Sequence, residues 1–498
     1  MGIFKIKLIR YIEIATGLKN VDLEVQENQS FGDYSTSVSL KFNSHGSGFS
    51  QKFEGLNSRQ VAEKLLEMLK ASKDLSKICD KIEIAGPGFI NFWLKKDVLV
   101  ENLKQVIEDK NNYGKSLIYK GDTIEVEHTS PNPNKSMHLG HLRNNIVGMA
   151  ISNLFEATGA RVIRDCVDNN RGIAIAKLMW GYLKFARRDG EYKTDLKYWA
   201  EHQEEWQTPE DIHMRPDRFV DMLYVKGSAD FESDESVEKT VRQMVVDWEA
   251  EEVNNRKLWE KVLSYSYAGQ KLTLDRLKSR WDKVWHESDH YKKGKEFVES
   301  GLEKGIFKKT DDGAVVTDLS KYNLTDTIVI KKDGTALYIT QDIALTNLKK
   351  NEYHADKMFW VIGPEQSLAM KQMFAVCDQL GIGNINEFTH IAYGYMSIKG
   401  QGKMSSRLGN VVYIDDLLDT AKDGVKEIML KNNFDKDEIE KVSEMVGVGA
   451  VKYSILKVAR LQDMSFDLKE SISLEGNSGP YLQYTVARCN SVIAKASN

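Results

Sequence analysis

An alternating segment, Thr123-Ile124-Glu125-Val126-Glu127, runs through Ser130-Pro131-Asn132-Pro133-Asn134-Lys135 into His138-Leu139-Gly140-His141, and apolar residues at helical spacing follow. A change of period from two to 3.6 across a short polar turn is the start of a β-α-β unit, which commits the chain to a parallel sheet. Leu142, Ile146, Ala150, Leu154 and Phe155 carry the helix until Gly159 offers a stop, and Ala160 to Val167 reads as the second strand. The two histidines therefore stand at a helix N-terminus. Backbone amides and the helix dipole favour phosphate there, and a glycine lets a nucleotide come close to the backbone. An ordinary polar turn, its histidines satisfied by hydrogen bonds, is spelled the same way.

A second segment, Lys399-Gly400-Gln401-Gly402-Lys403-Met404-Ser405-Ser406-Arg407-Leu408-Gly409-Asn410, joins glycines to a lysine and hydroxyls. A lysine ammonium is a compact, movable charge suited to phosphates whose charge builds up in a transition state. A solvated basic turn has the same composition. Between the two segments the parallel sheet resumes, with Lys357 to Gly363 and Phe388 to Gly394 as strands around a helix from Ser367 to Leu380. Ligands are expected at the carboxyl ends of such strands.

The rest of the chain divides around that sheet. Residues 1–119 read as a small α+β module, with a helix over Ser58 to Leu69 and a hairpin of Lys81-Ile82-Glu83-Ile84 and Phe89-Ile90-Asn91-Phe92-Trp93 about Gly86-Pro87-Gly88. Residues 120–423 form the nucleotide-binding part, interrupted by a charged helical insertion at about 180–285. Seven of the nine tryptophans fall in that insertion, and Val237, Val241, Met244, Val245 and Trp248 form a helical stripe, so it is packed structure with the stripe as core. Residues 424–498 are helical again.

Composition narrows the class of protein. The chain has 498 residues and is 41% hydrophobic, enough for two or three cored domains. No stretch approaches the roughly 18 to 20 apolar residues of a membrane span, and the N-terminus lacks a signal-peptide core, which points to the cytoplasm. Cys79, Cys166, Cys377 and Cys489 are scattered without metal-site spacing and read as buried thiols, with neither disulfides nor a structural zinc expected. A net charge of −4 makes no general case for nucleic acid, although 69 basic residues leave room for a local basic face.

Together, the two segments resemble the HIGH and KMSK signatures of class I aminoacyl-tRNA synthetases. The resemblance narrows to the arginyl-tRNA synthetase family through Phe31-Gly32-Asp33-Tyr34, Ala85-Gly86-Pro87-Gly88-Phe89-Ile90, the Ser130 to Lys135 segment, Glu287-Ser288-Asp289 and Gly479-Pro480-Tyr481-Leu482-Gln483-Tyr484 with Ala487-Arg488. It implies a Rossmann-type α/β catalytic domain with a helical insertion, an N-terminal α+β module that contacts tRNA, and a C-terminal helical anticodon-binding domain. That last domain is expected to be incomplete, because the family continues well beyond the position of Asn498.

The resemblance also implies the chemistry: activation of L-arginine by ATP with Mg2+, then transfer to the 3′ end of tRNA(Arg), by a monomer that binds no DNA and no membrane. His138, His141 and Lys403 would be catalytic. Lys135, His138, Gly140, His141, Lys403, Met404, Ser405 and Ser406 would bind ATP; Ser130, Asn132, Tyr338, Asp342 and Gln366 would bind arginine; no protein-held metal is expected. A carboxylate suits arginine because two oxygens meet the planar fork of a guanidinium. Without the family, Asp342 is an ordinary carboxylate at a helix start. Two departures stand out: Asn169-Asn170-Arg171-Gly172-Ile173-Ala174 lacks the acid and glutamine of the family's Asn-Asp-x-Gly-x-Gln, and Ala369 replaces a frequent histidine. A synthetase-like protein that binds ATP, arginine or tRNA without charging is the alternative reading.

Overall fold

The structure is a computed structural model that describes residues 2–26, 28–43, 53–191, 193–334, 337–400, 412–430 and 435–496. Contacts divide the chain into two compact units, Met1–Ser116 and Leu117–Asn498. In the first, helices Gly2–Thr16 and Ser58–Lys70 accompany a four-stranded antiparallel sheet ordered Glu24–Val25, Tyr34–Thr36, Phe89–Leu94, Cys79–Ala85. Helix Ser58–Lys70 starts where expected because Asn57 and Gln60 cap it reciprocally: the Asn57 side chain accepts from the Gln60 amide and the Gln60 side chain from the Asn57 amide, both at 2.9 Å. Val61, Leu65, Leu8, Ile12, Ile90 and Phe92 share its core.

The second unit is built on five parallel strands: β1 (Thr123–Glu127), β2 (Arg161–Asp168), β3 (Lys283–His286), β4 (Lys357–Val361) and β5 (Phe388–Ile391), in the order β5-β4-β1-β2-β3. The chain grows from β1 towards β3, then returns to the other side of β1, so the switch point lies between β1 and β4. Helix α1 (Leu139–Ala157) follows β1 and covers one face, where Ile124, Val126, Val147, Val361 and Ile391 form a common core. Strand β3 departs from the sequence reading, which ended the insertion at Trp285. Lys283-Val284-Trp285-His286 instead closes the edge of the sheet, and four residues are too few to show a period. A three-stranded antiparallel sheet, Phe307–Lys309, Val315–Thr317 and Ile328–Ile330, was equally hidden by its short strands.

The insertion is helical: α2 (Ile173–Phe185), α3 (Pro216–Ser233), α4 (Glu235–Glu249) and α5 (Val253–Arg276) enclose a core containing Trp199, Trp206, Phe219 and Leu223. The α4 stripe packs into it, with Val237, Val241, Met244 and Trp248 buried and Val245 half-buried. Beyond the insertion come α6 (Tyr338–Tyr353), α7 (Ser367–Leu380), α8 (Ile414–Leu430), α9 (Lys436–Leu456) and α10 (Gly479–Ala496). The expected border between 423 and 424 falls inside α8. Of the cysteines, Cys79, Cys166 and Cys377 are buried as expected, but Cys489 is exposed on α10, where the packing of that face was not legible from one residue.

The other face of β1 carries Glu125 and Glu127, and both are buried. The Lys349 ammonium, from α6, donates to Glu125 Oε1 at 3.2 Å, to Glu127 Oε2 at 2.7 Å and to Asp165 Oδ1 of β2 at 2.9 Å. Lys349, Glu125 and Asp165 are fully buried, and Asp165 Oδ2 also accepts from Trp285 Nε1 and the Tyr353 hydroxyl. Burial favours the neutral carboxyls and pushes the pKa of Glu125 and Glu127 up, while three carboxylates hold Lys349 in its charged form. Removing one partner of a buried ion pair leaves uncompensated charge. Lys349→Met is therefore expected to lower unfolding stability by about 3–5 kcal/mol, read from denaturant midpoints; a loss below about 1 kcal/mol would contradict this packing.

Candidate active site

Strand β1 ends in a tightly bound turn. Thr129 and Ser130 adopt φ of 76° and 36°, left-handed values that cost a non-glycine residue about 1–3 kcal/mol each. Helix α1 and strand β2 hold them there: Asn144 Oδ1 accepts from the Thr129 amide at 2.6 Å, Asn145 Nδ2 donates to Thr129 Oγ1 at 3.0 Å, and Ser130 Oγ accepts from the Val167 amide of β2 at 3.0 Å. Asn144 Nδ2 also donates to the Val361 carbonyl at 2.7 Å, so one side chain ties the ends of β1 and β4 across the switch point. The approach is close enough that a Cβ at Gly148 would lie 2.3 Å from His128 Cβ.

The two histidines cap α1 reciprocally. His138 Nδ1 accepts from the Gly140 amide at 3.1 Å, and His141 Nδ1 accepts from the His138 amide at 3.2 Å. The rings lie 4.1 Å apart, and a Cβ at Gly140 would crowd His138 Cε1 at 3.0 Å, so glycine is what lets the ring fold over the helix start. Burial holds both rings neutral, with His138 lowered to about 4 and His141 well below its ordinary value; Lys135, and for His141 also His138, adds to the effect. A neutral ring that accepts at Nδ1 carries its hydrogen on Nε2. Both rings therefore offer an N–H donor. The expectation of open amides at this helix start needs correction: the Leu139 amide is bound by the Val412 carbonyl and the Gly140 amide by His138. The rings carry open N–H donors at this helix start.

The second segment, including Lys403, Met404, Ser405 and Ser406, lies in 401–411, outside the described residues. Its flanks are fixed. On the carboxyl side Tyr413 pairs with His138, the Ile414 amide donates to the Met137 carbonyl, and the Tyr413 hydroxyl donates to Asp221 of α3 at 2.6 Å. On the amino side, Arg143 of α1 donates to the carbonyls of Gly394, Tyr395, Arg460 and Gln462 at 2.6–3.3 Å. Arg143 is buried. It secures the backbone that precedes residues 401–411, just as the first signature secures the backbone that follows them.

The remaining candidates stand at the carboxyl edge of the sheet. Asn132 is exposed, and Asn169 Nδ2 donates to its Oδ1 at 3.4 Å. Gln366 is exposed in the turn after β4. Tyr338 opens α6, with its phenol outside the described residues; the segment is helical from Tyr338 rather than a strand-to-helix transition. Asp342 is solvent-exposed, and no described residue hydrogen-bonds or pairs with its carboxylate. The protein around it and the nearby Glu127 push its pKa up to about 7. The departure at Asn169 to Ala174 is a lock: the Asn170 amide group exchanges hydrogen bonds with Ser288 at 3.0 Å, and the Arg171 guanidinium lies 3.9 Å from the Tyr291 ring centroid while pairing with Glu249 and Glu287.

Residues 102–182 and 190–468 match the family profile "tRNA synthetases class I (R), catalytic domain", and residues 4–94 match "Arginyl tRNA synthetase N terminal domain". The chain belongs to the class I arginyl-tRNA synthetase family. It is 35% identical over 485 residues to the arginine–tRNA ligase of Treponema denticola, covering 96% of this chain and 77% of that protein. The enzyme of Bacteroides thetaiotaomicron is 35% identical over 462 residues, covering 88% and 73%. The fold matches the arginyl-tRNA synthetase of Thermus thermophilus with a TM-score of 0.72 at 21% identity, over 98% of this chain and 82% of that one. Within this family, His141→Ala removes both an N–H donor and a cap. Arginine activation should fall about 10²–10³-fold, with a stability loss of about 1 kcal/mol; wild-type rates from the folded variant would contradict the assignment.

Proposed function

We propose that the chain joins L-arginine to tRNA(Arg) in two steps: the arginine carboxylate attacks the α-phosphate of magnesium ATP, and the resulting adenylate passes its acyl group to the tRNA 3′ end. Membership in the family makes it an arginine–tRNA ligase that uses ATP, and the free carboxylate of Asp342 carries the finer assignment of the pocket. Asp342 and Tyr338 bind the guanidinium, with Ser130, Asn132 and Gln366 holding the rest of the amino acid. Ser130 Oγ accepts from the Val167 amide and keeps its hydrogen for a ligand.

His138 and His141 donate Nε2–H to the phosphates. As neutral groups they stabilise charge that develops there without moving a proton. Gly140 lets the His138 ring lie over the helix start. Lys135 and the segment carrying Lys403, Met404, Ser405 and Ser406 meet the departing pyrophosphate. Magnesium enters with ATP: the described cluster of three acids that could hold an ion, Glu125, Glu127 and Asp165, surrounds Lys349 instead. Residues 1–119 contact tRNA, residues 120–423 carry both reactions, and residues 424–498 begin an anticodon-binding bundle. Among the described residues no helix is long and apolar enough to cross a membrane; we place the enzyme in the cytoplasm as a monomer.

Charging of tRNA(Arg) by the chain with ATP and labelled arginine is the direct test, and binding of all three without charged product would contradict the proposal. Arginine binding should also depend on pH. The Asp342 carboxyl, raised to about 7, must lose its proton to pair with a guanidinium, so affinity is full above that pH and falls as pH drops through it. Below that point the Kd rises about tenfold per pH unit. Asp342→Asn should weaken arginine by about 10²-fold, the loss of one partner of a charged hydrogen-bonded pair, and abolish the pH dependence in calorimetry.

A further inference from the structure

Polar groups of the insertion converge on residues 413–416, which stand beside the first signature. Arg218 and Asp221, three positions apart on α3, share one helical face. Asp221 Oδ2 accepts from the Tyr413 hydroxyl at 2.6 Å, and the Arg218 guanidinium carbon lies 3.1 Å from the centroid of the same ring. Arg218 also pairs with Asp416 at 2.8 Å, while Arg215 ahead of α3 and Arg276 at the end of α5 pair with the buried Asp415 at 3.1 and 2.9 Å. Apolar burial is non-directional, whereas charged hydrogen bonds fix orientation. One acid and three arginines of the insertion therefore set where residues 413–416 lie.

The backbone of Tyr413 faces the first signature. It pairs antiparallel with His138; the Ile414 amide donates to the Met137 carbonyl at 3.1 Å, and the Leu139 amide donates to the Val412 carbonyl at 3.3 Å. Both neighbours of His138 are thus bound to the neighbours of Tyr413. We propose that Tyr413 is a positioning residue for adenylate formation: Asp221 and Arg218 hold its side chain, its backbone holds that of His138, and the His138 ring is thereby kept where its Nε2–H meets phosphate. The proposal rests on His138 as a phosphate donor. None of these contacts involves α6, which presents Tyr338 and Asp342, so the effect falls on turnover and not on arginine binding.

The test is ATP–pyrophosphate exchange by the intact chain with magnesium, L-arginine and tRNA(Arg) present. Tyr413→Phe keeps the ring and the backbone pairing and loses only the hydroxyl. It should lower kcat about tenfold, within the roughly 10²-fold that a misplacement of about 1 Å can cost, and leave the KM for arginine unchanged. Asp221→Ala should behave alike, whereas Asp221→Asn, whose carbonyl still accepts from the hydroxyl, should stay within about twofold of the wild type. The double variant Tyr413→Phe with Asp221→Ala should be no slower than Asp221→Ala alone, because both changes break one contact. If Asp221→Ala does not fold, a slow Tyr413→Phe beside a fast Asp221→Asn carries the same result. Wild-type kcat in Tyr413→Phe, additive losses in the double variant, or an Asp221→Asn as slow as Tyr413→Phe would overturn the proposal. His138→Ala separates the two levels: wild-type exchange from it would sink the phosphate-donor reading itself, while loss of exchange there with full activity in Tyr413→Phe would sink only the positioning role.

Discussion

The buried ammonium of Lys349 holds the catalytic sheet together at its least favourable point. Strands of a parallel sheet covered on both faces are usually apolar throughout, yet β1 turns Glu125 and Glu127 inward and β2 adds Asp165. One lysine on α6 reaches all three acids at 2.7–3.2 Å. Isolated, any of these groups would be expelled from the interior or neutralised. Together they join β1, β2 and α6, and Trp285 and Tyr353 complete Asp165 from β3 and the end of α6. The carboxyl ends of these strands and the start of α6 supply the candidate arginine pocket.

On the opposite face, α1 does the corresponding work for the first signature. Its histidines cap the helix, and the caps fix which nitrogen carries a hydrogen. Two asparagines hold the strained Thr129-Ser130 turn, and Arg143 holds the backbone at Gly394 and Tyr395. Pairing of Tyr413 with His138 places the backbone just past residues 401–411 beside the first signature. Preorganised donors of this kind stabilise developing charge without reorganising during the reaction.

Long elements were legible because their periods repeat. The Ser367 to Leu380 helix, the alternation of β1 and the tryptophan-rich insertion follow from spacing alone. Strand β3 and the small antiparallel sheet were not legible, since three or four residues carry no distinguishable period. The Glu125 and Glu127 face of β1 reads as solvent-facing, and only the non-local partner Lys349, 222 positions from Glu127, reveals it as buried. Lys349 itself, beside Lys350 near a helix end, looks like any surface lysine. In the site, His138 and His141 followed from motif and position, whereas Arg143 and Asn144 act on backbone atoms more than 200 residues away. No local pattern announces such contacts. Asp342 was named through resemblance, and its free, exposed carboxylate was visible only in three dimensions.

Selectivity is where the electrostatics and the family membership meet in one observable. Pyrophosphate exchange across all twenty amino acids, with ATP, magnesium and tRNA(Arg) present, measures it directly: incorporation with arginine alone is the predicted result, and exchange with any other amino acid in arginine's place would contradict a pocket organised around Asp342.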